Sequence, residues 1–505
     1  MSEGFRSAAV SIAAAVLLSA CGGEGSSDDN RNGAESLTLD QKVSAVAKIN
    51  GITGDPTTGR TLPSITDPKA RLGMQLFFSK ALGGDLDSAC VSCHHPLLGG
   101  GDNLSLSIGV EAVLPDLLGP GREHRMDGHE YDGGPTVPRN APSTFNIVFY
   151  DEVLFHDGRV ESLGKANPNG EGDAIRTPDS AFGVADVNAG ANLSAAQARF
   201  PVTSPEEMRG HTFQAGTTTA ALRTALEERL KGEDMEMALA AMNDWLSAFQ
   251  TGFADPMGVA DDLITYDHIA DALAAYQNSQ VLVDNPWKDY LAGDTKAISD
   301  DAKRGALLFY TPVAKGGAGC SGCHSGDFFT DEQFHVVGMP QVGRGKGDGV
   351  VEPHDNDYGR FRETKEDDDK FAFRTPHLLN VAKTGPWGHA GAYTSLEAVV
   401  RHHLNPQLAF DNYDLSQLAP FVQTQTDNIV LNTQQALDQL AALRLAGKSK
   451  LVNADLTDVQ VSQLLAFLNA LTDPCLDDRD CMAKWIPGDD VPDPDGLRVK
   501  ALGTL

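Results

Sequence analysis

The sequence predicts a mostly α-helical protein of two cytochrome c-like domains in tandem, joined and elaborated by long loops. Three observations predict it. The pentapeptide Cys90-Val91-Ser92-Cys93-His94 recurs as Cys320-Ser321-Gly322-Cys323-His324. Each copy follows a short amphipathic stretch, with Leu72, Leu76 and Phe77 before the first and Leu307, Leu308 and Phe309 before the second. Between them run tracts rich in Gly, Pro, Asn and Asp. In Cys-x-x-Cys-His two thiols add to the vinyl groups of a haem and the histidine takes the iron, so the pair predicts two covalent c-type haems. A redox dithiol or half of a zinc site is the alternative, but zinc wants a second ligand pair close by, and neither copy has one.

The chain has 505 residues, enough for two or three domains with real cores. Its formal net charge is -30. That excludes nucleic acid as a natural partner, and its field suits a small basic electron-carrier protein or simply a well-solvated surface.

Residues 1–20 read as a signal peptide. Arg6 precedes an apolar run from Ala8 to Leu18 that is too short to span a bilayer, and the run ends in Leu18-Ser19-Ala20-Cys21-Gly22. Small residues before a cysteine resemble a bacterial lipoprotein signal with lipid on Cys21; a plain signal peptide cut after Ala20 is the other reading. Either exports the protein. The lipoprotein reading places it in the bacterial periplasm, held to a membrane, the outer one expected, by its lipid alone. Cys475 and Cys481 remain, for a short-loop disulfide in an oxidising compartment or a pair of free thiols.

Residues 21–40 are a polar tether. The first haem domain is expected over 41–293, the second over 294–486, and a tail over 487–505. Asp67-Pro68 and Ser299-Asp300 start the helices that lead to the two haem motifs. The stretch from Gly99 to Arg209 reads as loop, and loops that long are usually functional. Helices are expected at about 218–231, 234–250 and 266–280. Residues 340–370 are loop again, with Glu366-Asp367-Asp368-Asp369 as a solvated face. A helix starting at Thr394, boxed by Glu397, puts Leu396, Val399, Val400 and His403 on one buried face and His402 elsewhere. A last helix starts at Thr457, boxed by Gln460.

From Leu72 to Asp473 these residues resemble the bacterial di-haem cytochrome c peroxidases and their MauG-type relatives. The resemblance rests on an ordered series. It includes Leu72-Gly73, Arg139-Asn140-Ala141-Pro142, Phe155-His156-Asp157-Gly158-Arg159 and Pro205-Glu206-Glu207-Met208. It continues through Thr330-Asp331, Phe334-His335 and Pro386-Trp387-Gly388-His389-Ala390-Gly391. It implies a peroxide-dependent oxidoreductase, the alternative being an electron-transfer or redox-sensing cytochrome without turnover. His94 becomes the proximal ligand of the peroxide-binding haem, Glu207 the distal acid–base carboxylate, and Gln197 the distal glutamine. Where many of the peroxidases carry a distal histidine that must leave before peroxide binds, the aligned residue is Val110, which offers no lone pair; His124 and His129 follow in the same loop. His403, fourteen residues beyond His389, falls at the second haem's distal-ligand position, and His324/His403 ligation gives a lower potential than His/Met. His156 stands where the family places an inter-haem tryptophan, and Trp387 lies two residues before His389. The resemblance also implies a calcium ion between the domains, on Asn140, Thr384 and the Pro386 carbonyl, oxygen donors that suit a hard cation. Hydrogen peroxide is then the substrate. The second reactant is a small electron-carrier protein or, as in MauG-type enzymes, a partner protein that is oxidised.

Overall fold

A computed structural model describes residues 37–233, 239, 243–347, 356–423, 425 and 428–501. The signal segment, Cys21 and most of the tether lie outside the described residues, as do 234–238 and 240–242 of the helix expected at 234–250. That helix is described as Trp245–Gly252. Among the described residues, strands are confined to two small antiparallel sheets, Val153–Leu154 with Val160–Ser162 and Ile175–Arg176, and Phe334–Val336 with Ala372–Arg374. No described helix is long and apolar enough to cross a membrane.

Two helix pairs repeat one packing solution. Pro68–Phe78 lies against Tyr266–Asn278, and Asp300–Tyr310 against Asp458–Asn469. At each crossing a glycine lets the backbones touch. A Cβ on Gly73 would sit 1.9 Å from the Ala272 carbonyl oxygen, and one on Gly305 would sit 1.9 Å from that of Gln463. Four residues on from each glycine, Phe77 and Phe309 enter the two largest cores. Ser299 accepts the Ala302 N–H to start the second of these helices, and Thr457 and Gln460 form a reciprocal capping box on its partner. Asp67 stands at the N-cap position of Pro68–Phe78, but its side chain accepts from the Ser64 N–H instead.

The ends of the chain cross over. Val43 and Ala47, on Leu39–Ile49, pack in the second core with Trp287, Phe309 and Phe467. Met482, Trp485 and Val499 pack in the first with Phe77, Trp245 and Tyr276. Cys475 and Cys481 are bonded to each other just before that return. Asp495 accepts from Ser79 Oγ and Trp245 Nε1, both at 2.8 Å, and the Val499 N–H donates to the Phe78 carbonyl. Residues from near both ends of the described chain thus complete the core that is built mainly from the other half.

The two halves share buried charge. Arg139 donates from Nε and Nη2 to both carboxylate oxygens of Asp357, at 2.6 and 2.8 Å, and from Nη1 to Asp157 at 2.6 Å. Glu332 accepts the backbone N–H groups of Asp151, Glu152 and Val153. The loop tract 99–209 holds the three-stranded sheet and the helix Leu193–Ala198, and in the acidic run residues 366–368 are exposed and Asp369 is half-buried.

One helix start differs from its expectation. The N-cap is Ser395, whose Oγ accepts the Ala398 N–H, and the helix is Leu396–Leu404. Thr394 instead donates its N–H to the side-chain carbonyl of Gln417, and Glu397 pairs with Arg401. The buried face shifts with it: His402 is fully buried and His403 half-buried, the reverse of the sequence expectation.

Candidate functional site: two haem-binding centres

The first centre is a turn beneath a cavity. The Ala89 N–H donates to Ser92 Oγ and the His94 N–H to the Cys90 carbonyl, which winds Cys90–Ser92 into a single 3-10 turn. Cys90, Cys93 and His94 then line one cavity together with Phe77, Gln197 and Glu207. His94 Nδ1 is 3.2 Å from the Gly100 carbonyl, so Nδ1–H is the donor and Nε2 is left for iron. Burial pushes His94 down, which keeps the ring neutral as a ligand must be. Burial also pushes the Cys90 thiol up to about 12, an apolar setting that suits an uncharged thioether sulfur better than a zinc-bound thiolate.

Glu207 sits on the single turn Pro205–Arg209, and its N–H donates to Ser204 Oγ at 3.3 Å. Two glycines clamp that turn. A Cβ on Gly109 would lie 2.3 Å from the carbonyl oxygens of both Glu206 and Glu207, and one on Gly84 would lie 1.6 Å from that of Arg209. Only a residue without a side chain allows these approaches. Gln197 comes from Leu193–Ala198, whose N-cap Asn192 accepts the Ala195 N–H.

Val110 is fully buried and donates its N–H to the Glu206 carbonyl. The histidines after it are held elsewhere. His124 Nδ1 bonds to the Arg125 carbonyl, and His129 Nδ1 to Glu111 at 2.9 Å with its ring stacked on His211. Neither lines the cavity. Buried Arg122 fixes the start of this loop by donating to the carbonyls of Ile108 and Gly109, each at 2.7 Å. His156 does line the cavity, with Nε2 3.1 Å from the Asn140 carbonyl. Burial, with Arg139 next, pushes it down to about 3, so it is neutral.

In the second centre, the His324 N–H donates to the Cys320 carbonyl, and His324 Nδ1 lies 3.0 Å from the Phe329 carbonyl, again leaving Nε2. Burial pushes the Cys320 thiol up to about 12. Burial, and then the neighbouring His403, push His324 down to about 4. His403 bonds through Nδ1 to the Val399 carbonyl at 2.8 Å, so its Nε2 too is left for a ligand role. Trp387 donates Nε1 to the Val381 carbonyl and packs against the second core.

The residues matched to a calcium site come from both halves. Asn140 donates its side-chain amide to the carbonyls of Leu104 and Ser105, and its backbone N–H to that of His389. A Cβ on Gly99 would lie 2.3 Å from the Lys383 carbonyl oxygen and 3.2 Å from Thr384 Cα. The Gly385–Pro386 bond is cis. Among the described residues no hydrogen bond joins Asn140 to Thr384 or Pro386.

Two features were not singled out from the sequence as parts of a site. Asp331 accepts from His335 Nε2 and Lys450 Nζ, each at 2.9 Å, close to Cys323. Lys346 reaches the first cavity from the other half. The only sequence signal for it is the pair of glycines that flank it.

A mostly helical fold with two Cys-x-x-Cys-His turns, each with a backbone-oriented neutral histidine, defines a di-haem c-type cytochrome. Comparison with known proteins narrows the class. The family model for di-haem cytochrome c peroxidase matches residues 67–296. The methylamine utilization protein MauG of Methylorubrum extorquens is 28% identical over 354 residues, 69% of this chain and 73% of that protein. The cytochrome c551 peroxidase of Pseudomonas aeruginosa is 28% identical over 356 residues, 70% and 75%. The crystal structure of a MauG-like protein associated with microbial copper homeostasis shares the fold, with a TM-score of 0.51 at 20% identity over 85% of this chain and 97% of that one. The chain is thus similar to the di-haem cytochrome c peroxidases and MauG proteins, and that similarity implies two c-type haems as its cofactors.

Proposed function

We propose that the chain is a peroxide-dependent di-haem oxidoreductase whose peroxide site is the His94 cavity. The observation that carries this is the meeting of Glu207 and Gln197 with Cys90, Cys93 and His94 around one space. A haem held by those three residues supplies the redox centre for peroxide reduction. Glu207 takes the proton of the near peroxide oxygen and returns it to the departing one, the work of a carboxylate in a water-poor pocket. Gln197 offers an amide to orient the peroxide. His324 and His403 hold the second haem, which exchanges electrons with the first.

Val110 has no lone pair, and neither His124 nor His129 lines the cavity. The first site is therefore open in the fully oxidised protein. That, with histidine rather than methionine at the second haem, favours oxidation of a partner protein over simple turnover with an electron carrier. His156 in place of an inter-haem tryptophan slows the sharing of oxidising equivalents, because imidazole is a poorer hole carrier than indole. The net charge of -30 suits a basic partner. An exported chain lipidated at Cys21 works in the periplasm at the outer membrane. A calcium ion on Asn140, Thr384 and the Pro386 carbonyl braces the two halves.

Stopped-flow absorbance of the fully oxidised protein mixed with hydrogen peroxide tests the reading. A prompt Soret change without prior reduction is the expected result. A response that appears only after one-electron reduction would show that a side chain caps the first iron.

A further inference from the structure

Among the described residues that line the His94 cavity, every one but Lys346 lies between Phe77 and Gln277. Lys346 arrives from the second half on a loop built to thrust it inward. Gly345 and Gly347, on either side, have φ of 64° and 66°. A Cβ on Gly345 would lie 2.4 Å from the carbonyl carbon and oxygen of Asn356. The left-handed backbone and the close approach both require glycine there. The loop is also held from three sides. Arg362 donates to the Lys346 carbonyl, and the Gly347 N–H donates to the Asn356 carbonyl. Arg344 reaches the Glu130 carbonyl at 2.8 Å and the Asp132 carboxylate at 2.9 Å, on the loop that follows Val110.

The Lys346 ammonium makes no ion pair or hydrogen bond with the described residues, although it lies in a cavity with charged walls. Arg139, Arg159 and Glu207 line the same cavity, and Arg159, Glu207, Arg139 and Asp157 are the charges that act on it most. Asp157 is taken by Arg139 and Arg159, and Arg139 also holds Asp357. Neutral His156 adds no charge. Glu207 is thus the carboxylate of this cavity that shares it with Lys346 and is not taken by an arginine. Burial, with Arg159 beside it, pushes the ammonium down to about 8, so it still carries its proton at neutral pH and sheds it just above.

We propose that Lys346 is a distal anion-binding residue of the first haem centre, brought into the cavity it shares with Glu207 by the second half of the chain. When Glu207 takes a proton from hydrogen peroxide, the carboxylate becomes a carboxylic acid and the peroxide becomes the hydroperoxide anion. The Lys346 ammonium binds that anion in a water-poor site, where a fixed cation acts more strongly than in water. This rests on the reading of the His94 cavity as the peroxide site.

Fluoride tests it without turnover, since it binds open ferric haem as an anion. Holoprotein, Lys346→Gln, Lys346→Met and Lys346→Arg would be titrated with fluoride between pH 6 and 9, with haem content and resting spectrum as checks on assembly. The expected result is at least tenfold weaker binding at pH 6 in the Gln and Met variants, with near-native binding in Lys346→Arg. Wild type should also show a fall in affinity centred near pH 8 that both neutral variants lack. Wild-type affinity and pH profile retained in the neutral variants would overturn the proposal and leave the peroxide site standing. Failure of wild type to bind fluoride at all would instead overturn the open site, and this proposal with it. If neither neutral variant assembles, loss of fluoride affinity in an assembled Lys346→Arg holoprotein would also overturn it.

Discussion

The Tyr393 hydroxyl lies 2.8 Å from Nδ1 of His402, inside the second half of the molecule. His402 Nε2 lies 2.9 Å from the Val337 carbonyl, so a neutral ring takes the tyrosine proton bond on one side and donates on the other. Both nitrogens are used. His403, the next residue, uses only Nδ1. The two histidines therefore have separate roles. His402 is a core residue with its polar atoms satisfied, and His403 keeps a free nitrogen beside His324.

The first prediction follows directly. In the holoprotein, His403→Ala should convert a low-spin haem to high-spin, read by absorbance or electron paramagnetic resonance. His402→Ala should leave the spectrum unchanged. It should instead lower stability by about 1–3 kcal/mol, because it leaves a buried hydroxyl and carbonyl unpaired. The reverse pattern would exchange the two roles.

Glu207→Gln keeps the size of the side chain and removes its acid–base function. Both haems should be retained in mass spectra of the denatured protein. The reaction with peroxide should slow by about 10²-fold or more, the usual scale for losing a general acid–base group. An unchanged rate would place the acid elsewhere.

The Gly109 contact gives a test of how Glu207 is held. Its missing Cβ would fall 2.3 Å from two carbonyl oxygens of the turn that carries the carboxylate. Gly109→Ala must displace that turn, at a cost of about 1–3 kcal/mol from overpacking. The peroxide reaction should slow while the fluoride affinity of the first haem changes far less. Adding Gly109→Ala to Glu207→Gln should then slow the reaction little further, since the displaced group is already gone.

The sequence made some of this architecture legible for identifiable reasons. Local signals were self-contained: the Cys-x-x-Cys-His turns, the Thr457–Gln460 box and the Ser299 cap each depend on residues three or four apart. Glu207 and Gln197 carry no local signal. Only the family resemblance picked them out, because their proximity to His94 arises from tertiary packing. The Thr394 start was missed because Gln417, distant in sequence, competes for its N–H. The face of His403 was misjudged because helical periodicity cannot separate a wall of protein from a space meant for a cofactor. Lys346 reads as an ordinary solvated lysine until Gly345 and Gly347 are seen to turn it inward. The crossing of the chain ends had no pattern to announce it, since residues 482–499 pack against helices far upstream.

The charges buried between the halves lead to a prediction about pH. Burial alone would raise the Asp357 carboxyl, but Arg139 outweighs it and holds that group far below the ordinary carboxylate range. Asp157 is likewise held well down, by Arg139 and Arg159 against burial. A carboxylate whose folded value is depressed contributes stability that is complete above its unfolded value, near 4, and is lost as pH falls through the folded value. Wild type should therefore weaken steadily as pH falls below about 4. Arg139→Leu reverses the sign for Asp357. The carboxylate then remains buried without its bidentate partner, burial raises its value above the unfolded one, and the charged form becomes a burden at neutral pH. Thermal denaturation at pH 7 should show a loss of about 3–5 kcal/mol, the scale for breaking one side of a buried pair. Lowering the pH toward 5 should recover part of that loss as Asp357 takes up a proton, whereas wild type gains nothing over the same interval. A second variant, Arg139→Leu with Asp357→Asn, removes the unpaired charge and should restore much of the pH 7 stability. Equal losses at pH 7 and pH 5 in the single variant would show that Arg139 acts by packing rather than by charge.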